Sequence, residues 1–312
     1  MQTKQPEKLT LIAFIMSTIL GGNNAIAVRF SNVELPPFFG AGLRFAAASL
    51  ILFLVVLILR LPLPNGRSLI GALIFGALQF GISYALIYWS LLEVPAGLFQ
   101  VILALVPLLT FFFAILHRQE TFKGRVLAGG LLAVGGIAII FSGRMVDNVP
   151  LLALLAAILA AACIAESIVL FKTFPKTHPI TTNALAMGTG AIILLGVSGL
   201  ARESIGWPSL PATWTAVIYL VIFGSVGTFV LALYVLERWT ASATSYSLVL
   251  MPIVTVLFAS WIADEPITFA LVVGGLFVLA GVYVGALAPA DLLKRVVSWL
   301  PGIQELNERA GE

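Results

Sequence analysis

Charge is what this chain has least of. Asp, Glu, Lys and Arg together make up 10% of its 312 residues, against about 25% in a soluble domain. A chain so poor in charge cannot clothe a water-facing surface, which excludes an ordinary soluble enzyme or binding module. Cysteine occurs once, at Cys163, so no disulfide can form within the chain. Histidine occurs twice, at His117 and His178, each isolated in a loop, and no further His or Cys stands at ligand spacing; no metal site is expected. There is no phosphate loop and no nucleotide fingerprint, so no cofactor is expected and ATP does not drive the protein directly. The formal net charge is a modest +3 and its cations lie between apolar runs, which argues against nucleic acid as a partner. Period-two alternation is missing as well, against an outer-membrane barrel.

What the chain has is length of apolar run. It is 60% hydrophobic, with a mean hydropathy of +1.08, and its apolar residues come in stretches of about 20, enough to span a hydrocarbon core as helix. Ten such segments can be marked, at 9–28, 38–59, 68–91, 95–116, 124–141, 150–171, 179–200, 214–236, 241–261 and 267–287. Pro, Gly and Asn fill the short gaps, as in Pro62-Leu63-Pro64-Asn65-Gly66, the chemistry of turns. The fold class that follows is an all-α integral membrane protein with ten transmembrane helices.

The chain also repeats itself. Adding 145 carries Pro107 onto Pro252, Glu120 onto Glu265, Gly129-Gly130 onto Gly274-Gly275 and Gly136 onto Gly281. Apolar sequences match by chance, but Pro, Glu and Gly in one register signal two structural repeats. Residues 1–8 are read as a cytoplasmic segment, 9–145 as the first five-helix repeat, 146–288 as the second, and 289–312 as a cytoplasmic tail. In the tail Leu292, Leu293, Val296, Val297, Trp299 and Leu300 form the apolar stripe of a helix lying on the membrane surface. Lys4, Lys8 and the stretch Ala25-Ile26-Ala27 resemble a cleavable leader. Segment 1 is nevertheless read as retained, because a shift of about 143 places its Asn23, Asn24 and Arg29 on Glu166, Ser167 and Lys172 of segment 6.

Thirteen of the seventeen basic residues fall on one side of the ten-segment layout, and Arg29, Arg144 and Arg202 on the other, with Arg44 inside a segment. Basic loops stay cytoplasmic, so both termini are expected inside. An odd number of segments per repeat makes the second copy enter from the opposite face. The expectation is two inverted five-helix repeats, an architecture of secondary transporters whose substrate site lies near the midplane.

At this point a resemblance can be stated. Gly21-Gly22-Asn23-Asn24, Arg29, Pro36-Pro37 and Leu43-Arg44-Phe45, followed by the two blocks from Pro107 to Gly136 and from Pro252 to Gly281, resemble the drug/metabolite transporter superfamily, specifically its ten-helix EamA-type members. The resemblance runs to about residue 287. It implies export of amino acids and other metabolites. Leu20 stands where many members carry Trp, and Ala165-Glu166 where many carry an aromatic residue.

Polar groups inside a membrane are costly, which makes each a candidate. Arg44 could offer a fixed cation to a carboxylate or phosphate beside Asn23 and Asn24, or could bond backbone carbonyls and hold segments 1 and 2 together. Glu166 could take up and release a proton or meet a cationic substrate group, or could reach Lys172 at the interface. A depth difference of roughly 12 Å argues against a direct Arg44–Glu166 pair. Gln79, Tyr84, Gln100, Asn183, Thr228 and Tyr246 complete the substrate-binding candidates, with Ser225 as a further polar group; each could equally make plain interhelical hydrogen bonds. Pro107 and Pro252 free the carbonyls of Leu103 and Leu248 and are candidate hinges, or fixed bends.

The function expected is a secondary active transporter in the inner membrane, exporting small metabolites such as amino acids by alternating access. The expected partners are a small-molecule substrate, the lipid bilayer and protons as a coupling ion, with the protein a monomer or homodimer. A carrier or flippase of lipid-linked or phosphorylated sugars is the alternative, and an intramembrane enzyme a weaker one, since Glu166 has no His or Asp beside it in sequence.

Overall fold

A computed structural model describes residues 8–119, 124–141, 149–175, 177–238 and 241–284. Among them there is no strand; the described residues form ten packed helices. We label them α1 (Lys8–Ser31), α2 (Pro37–Ile58), α3 (Gly66–Ser90), α4 (Ala96–Leu116), α6 (Leu151–Phe171), α7 (Pro179–Leu200) and α8 (Pro211–Ala232, continuing to Arg238), with α5 (Gly124–Phe141), α9 (Ala241–Ile262) and α10 (Phe269–Val282) between and after them. The expected tail helix at 289–312 lies outside the described residues.

Seven of the ten are long and apolar enough to cross a membrane; α5, α9 and α10 carry shorter apolar stretches. The ten expected helices are present, and among the described residues seven of them meet the length and hydropathy of a span.

Proline sets many of the starts. Pro37, Pro179 and Pro211 occupy first helical positions, where a missing N–H costs nothing, and Pro95 and Pro150 precede α4 and α6. Four helices end in a left-handed residue that is not glycine: Arg60, Arg118, Arg202 and Asp264 have φ of 51°, 57°, 53° and 51°. The position is the usual one for a helix C-terminus.

Packing exchanges partners between the two halves. α1 lies against α8 and α9, while α6 lies against α3 and α4; α2 pairs with α7, and α5 with α10. The α5–α10 contact runs through the repeated glycines. A Cβ on Gly136 would stand 2.5 Å from the Gly274 carbonyl oxygen, one on Gly274 equally close to that of Gly136, and one on Gly281 would collide with the Gly129 carbonyl. Backbones approach this closely only where neither helix carries a side chain. On the α2–α7 side Ser49 Oγ donates to the Ala184 carbonyl at 2.8 Å. Phe45, Phe80, Tyr88, Phe99 and Met187 are fully buried at the centre.

Four helices are irregular inside the bundle. α1 turns at Asn23. α4 breaks at Ala104–Leu105, two residues before Pro107. α3 and α8 each contain a π segment, Gly76–Ile82 and Ile222–Gly227. The 145-residue shift lays one π segment on the other. Both end in the same device: Ser83 Oγ donates to the Leu78 carbonyl at 2.6 Å, and Thr228 Oγ1 to the Phe223 carbonyl at 2.8 Å, each five residues back. Pro107 and Pro252, by contrast, do not act alike, because α9 stays one helix through Pro252.

Candidate functional site

The irregular segments surround one cavity of about 410 Å³, lined from α1, α2, α3, α4, α6, α8 and α9. Irregular backbone at membrane depth is tolerated where it lines a cavity. Its wall is largely apolar, with Phe99, Leu103, Val106, Phe229 and Met251 among the lining residues. Its polar residues are Asn24, Arg44, Gln79, Tyr84, Gln100, Thr228 and Ser247. Arg44 is the sole charged group among the described residues that line it.

Arg44 is 1% exposed. Its Nε donates to Ser225 Oγ at 2.8 Å and its Nη2 to the Gly224 carbonyl at 3.0 Å. Asn24 Nδ2 donates to the same carbonyl at 3.2 Å. The π segment of α8 is therefore held from α2 and α1 together. The guanidinium also stands 5.1 Å and 5.3 Å from the ring centroids of Phe45 and Tyr84, a favourable setting for a desolvated cation. In the other half Ser167 Oγ of α6 donates to Gln79 Oε1 in the π segment of α3 at 2.6 Å. The pairs correspond: Gln79 falls on Gly224 by the 145 shift, and Asn24 on Ser167 by the 143 shift. Arg44 and Asn24 each retain a buried polar atom without a protein partner, Nη1 and Oδ1.

Six of the ten substrate-binding candidates thus meet in one place: Asn24, Arg44, Gln79, Tyr84, Gln100 and Thr228. The others do not. Asn23 turns the other way, to a shallower apolar groove of about 370 Å³ beside Tyr219 and Phe258, and its Nδ2 donates to the Ile19 carbonyl at 3.1 Å. Asn183 is buried in α7 and lines neither space. The side chain of Tyr246 lies outside the described residues. Glu166 is at the far end of the bundle, where Oε1 lies 2.7 Å from His117 Nε2. The expected Lys172 partner is corrected to His117, which ends α4 and faces α6; a lysine six residues on points off the opposite side of the helix. Neither histidine is isolated, since His178 Nδ1 accepts from the Ile180 N–H at 3.3 Å and caps α7. Arg44 and Glu166 have separate partners.

The threonines three residues after the prolines bond carbonyls other than those of Leu103 and Leu248. Thr110 Oγ1 donates to the Val106 carbonyl at 2.8 Å. Thr255 Oγ1 donates to the Gly22 carbonyl at 2.5 Å and shares the Met251 carbonyl at 3.0 Å, tying α9 to α1.

Sequence reasoning missed how one end of the bundle is fastened. Glu265 forms an ion pair with Arg29, and accepts from the N–H of Ala96 at 2.9 Å and of Gly97 at 3.1 Å. Glu203 accepts from the N–H groups of Phe38 and Phe39 at 3.1 and 2.8 Å. Glu34 accepts from Ser209 Oγ at 2.5 Å, the Ser209 N–H at 3.0 Å and the Leu210 N–H at 2.9 Å. Each carboxylate sits at the start of a helix belonging to another part of the chain, where the unpaired N–H groups and the dipole favour an anion. The Ser209 hydroxyl above all, with the nearby Thr213 hydroxyl and the two amides, holds the Glu34 carboxyl down to about 2 from the usual 4.5. The sequence did carry a signal, since Glu265 repeats Glu120 and Arg29 repeats Lys172; it did not say that the two meet.

The description "EamA-like transporter family" matches this chain twice, over residues 8–142 and 151–286. The "Uncharacterized inner membrane transporter YedA" of Escherichia coli K12 is 29% identical over 253 residues, covering 80% of this chain and 81% of its own. The "Uncharacterized transporter YoaV" of Bacillus subtilis is 26% identical, covering 88% and 95%. The "Probable terminal-alkyne amino-acid exporter" of Streptantibioticus cattleyicolor is 27% identical, covering 86% and 91%. A solved crystal structure superposes with a TM-score of 0.61 at 17% identity, over 90% of this chain and 97% of the other, a likeness of fold.

Proposed function

We propose, for a chain that belongs to the EamA-like transporter family and so to the small-molecule transporters of the inner membrane rather than to the enzymes, that it exports amino acids or related metabolites by alternating access. The observation that carries this reading is the cavity itself. It gathers the turn of α1, the break of α4 and both π segments, and it draws its walls from both matched halves. A volume of about 410 Å³ suits a small metabolite.

We read the two halves as inverted copies around this cavity. Their antiparallel glycine contacts support that: residue 129 meets 281 while 136 meets 274, a pattern that maps onto itself when each residue is exchanged with its repeat. The exchange of α1 and α6 between halves supports it too. In this reading Asn24, Gln79, Tyr84, Gln100 and Thr228 hold the polar part of the substrate, the apolar wall holds its body, and Arg44 supplies the positive potential that favours a carboxylate. The name of the Streptantibioticus relative supports amino acids as the class. We assign proton coupling to the Glu166–His117 pair. A Glu166→Gln variant is then expected to keep exchange transport and lose the pH-driven component; unchanged pH dependence removes Glu166 from coupling.

The test of the function is metabolite profiling of the medium, comparing cells that express the protein with empty-vector cells and with a Gln100→Ala variant at matched membrane levels. One or more small carboxylates enriched by the intact protein alone is the expected result. No enriched compound, together with no uptake of an amino-acid panel into proteoliposomes, overturns it.

A further inference from the structure

We infer that the first piece of α4, Ala96–Leu103, is a hinged gate over one end of the central cavity, and that Glu265 is the latch that holds it shut. This rests on the proposed function to the extent that a gate implies a cavity reached from two sides.

α4 runs in two pieces. Ala96–Leu103 and Val106–Leu116 are separate, with Ala104 and Leu105 in a turn between them. Only Pro107, at the start of the second piece, could not have donated across such a break in any case. The two pieces are fastened to different things. The second piece is tied to α6, through His117 to Glu166 and through Gln119 Nε2 to the Val169 carbonyl at 3.2 Å. Among the described residues, the side-chain group that ties the first piece at its free end is Glu265: the N–H groups of Ala96 and Gly97 both point to that carboxylate.

Position makes the tie a latch. Phe99 and Gln100, in the first piece, line the cavity, as does Val28 beside Arg29 on α1. Glu265 therefore joins α1 and α4 across the end of the cavity where these two helices converge. The contact differs in kind from the caps made by Glu34 and Glu203. Among the described residues those two accept from hydroxyl and backbone donors, whereas Glu265 also carries an ionic partner on a third element. A charge-assisted contact joining three elements adds a term to the closed arrangement that vanishes when the first piece swings away, which is what biases a two-state equilibrium. The first piece is packed against α1, α6 and α9, with Ala96 to Ile102 all buried, and a Cβ on Gly97 would stand 3.3 Å from a methyl carbon of Val256.

The test reads access, not transport, so a chain that moves no solute can still pass it and a transporter with a rigid α4 fails it. In a Cys163→Ser background, Ala232→Cys places a thiol on the cavity wall. Sealed vesicles of both orientations are treated with a membrane-impermeant maleimide. With the latch intact the thiol is expected to be protected from the Arg29 side. Glu265→Gln, which keeps shape and loses charge, should raise labelling from that side by roughly threefold to tenfold. Arg29→Met leaves the helix cap in place, so it serves if Glu265→Gln does not fold, and should give a smaller gain in the same direction. In separate proteins, Gly97→Cys with Val256→Cys lies within bridging reach and should cross-link quickly on oxidation, and more slowly once Glu265→Gln is added. Labelling unchanged by the variants, or cross-linking at an unchanged rate, in protein of unchanged thermal stability, overturns the gate.

Discussion

At the scale of single residues, the charges that matter here are committed to backbone. Arg44 reaches a backbone carbonyl and a hydroxyl in the α8 π segment with two different nitrogens. Lysine has one ammonium and no fork, so it cannot reproduce both contacts in one geometry. Arg44→Lys should lower the thermal midpoint in detergent, at a cost of about 2 kcal/mol, in the range of a hydrogen bond to a buried charged group; an unchanged midpoint would free Arg44 from this structural duty. Glu34 makes a prediction about pH. Its folded carboxyl is held near 2, below the usual 4.5, so it holds its proton less tightly folded than unfolded. The stabilisation it gives is complete above about 4.5 and is lost as pH falls toward 2. Acid titration of the midpoint should show a loss in that window that Glu34→Gln removes, and an identical profile in the variant would contradict it.

At the scale of elements, adjacent glycines of α5 separate contact from conformation. Gly136 faces the α10 backbone, whereas a Cβ on Gly135 would meet nothing within 4 Å. Gly136→Val should force the two helices apart and cost about 1–3 kcal/mol, the usual penalty of overpacking. Gly135→Ala should be neutral or stabilise by about 0.5–1 kcal/mol through helix propensity. Melting curves of the two variants check both, and equal effects would remove the close contact. The helices with π segments follow the same logic of local need. A π turn leaves a carbonyl without its ordinary partner; in α3 and α8 a hydroxyl five residues on takes it up, and side chains from α1, α2 and α6 reach the same turns.

At the scale of the whole molecule, the distribution of basic residues and the inverted reading make a prediction about sides. In a Cys163→Ser background, a thiol at Asn65 is expected to react with an impermeant reagent only in inverted vesicles, and one at Gly206 only in right-side-out vesicles. The reverse pattern would turn the protein over, and both reacting from one side would end the inverted-repeat reading. The carboxylates Glu34, Glu203 and Glu265 all fasten the end that holds Arg29. The opposite end has the His117–Glu166 pair. The two ends are built from different chemistry, which lets one be released without the other.

The membrane class, the helices and their order, the duplication and its register were all readable from the chain alone. These depend on counts and spacings: too little charge to face water, apolar runs of spanning length, and Pro, Glu and Gly repeating at a fixed interval. The candidate site was legible in part. Asn24, Arg44, Gln79, Tyr84, Gln100 and Thr228 could be picked out because polar groups within apolar runs are rare, but so were Asn23 and Asn183, which line no part of the central cavity. Which way a residue faces depends on how its helix is rotated in the bundle, and neighbouring Asn23 and Asn24 diverge because successive helical residues point about 100° apart. Only the tertiary structure decided the partners. It placed His117 rather than Lys172 against Glu166, put Arg44 on a π segment that periodicity does not announce, and brought Glu265 to Arg29 from 236 positions away. Pairings of that kind arise from helix packing in three dimensions, and a carboxylate in a loop looks the same in sequence whether it faces water or closes a cavity.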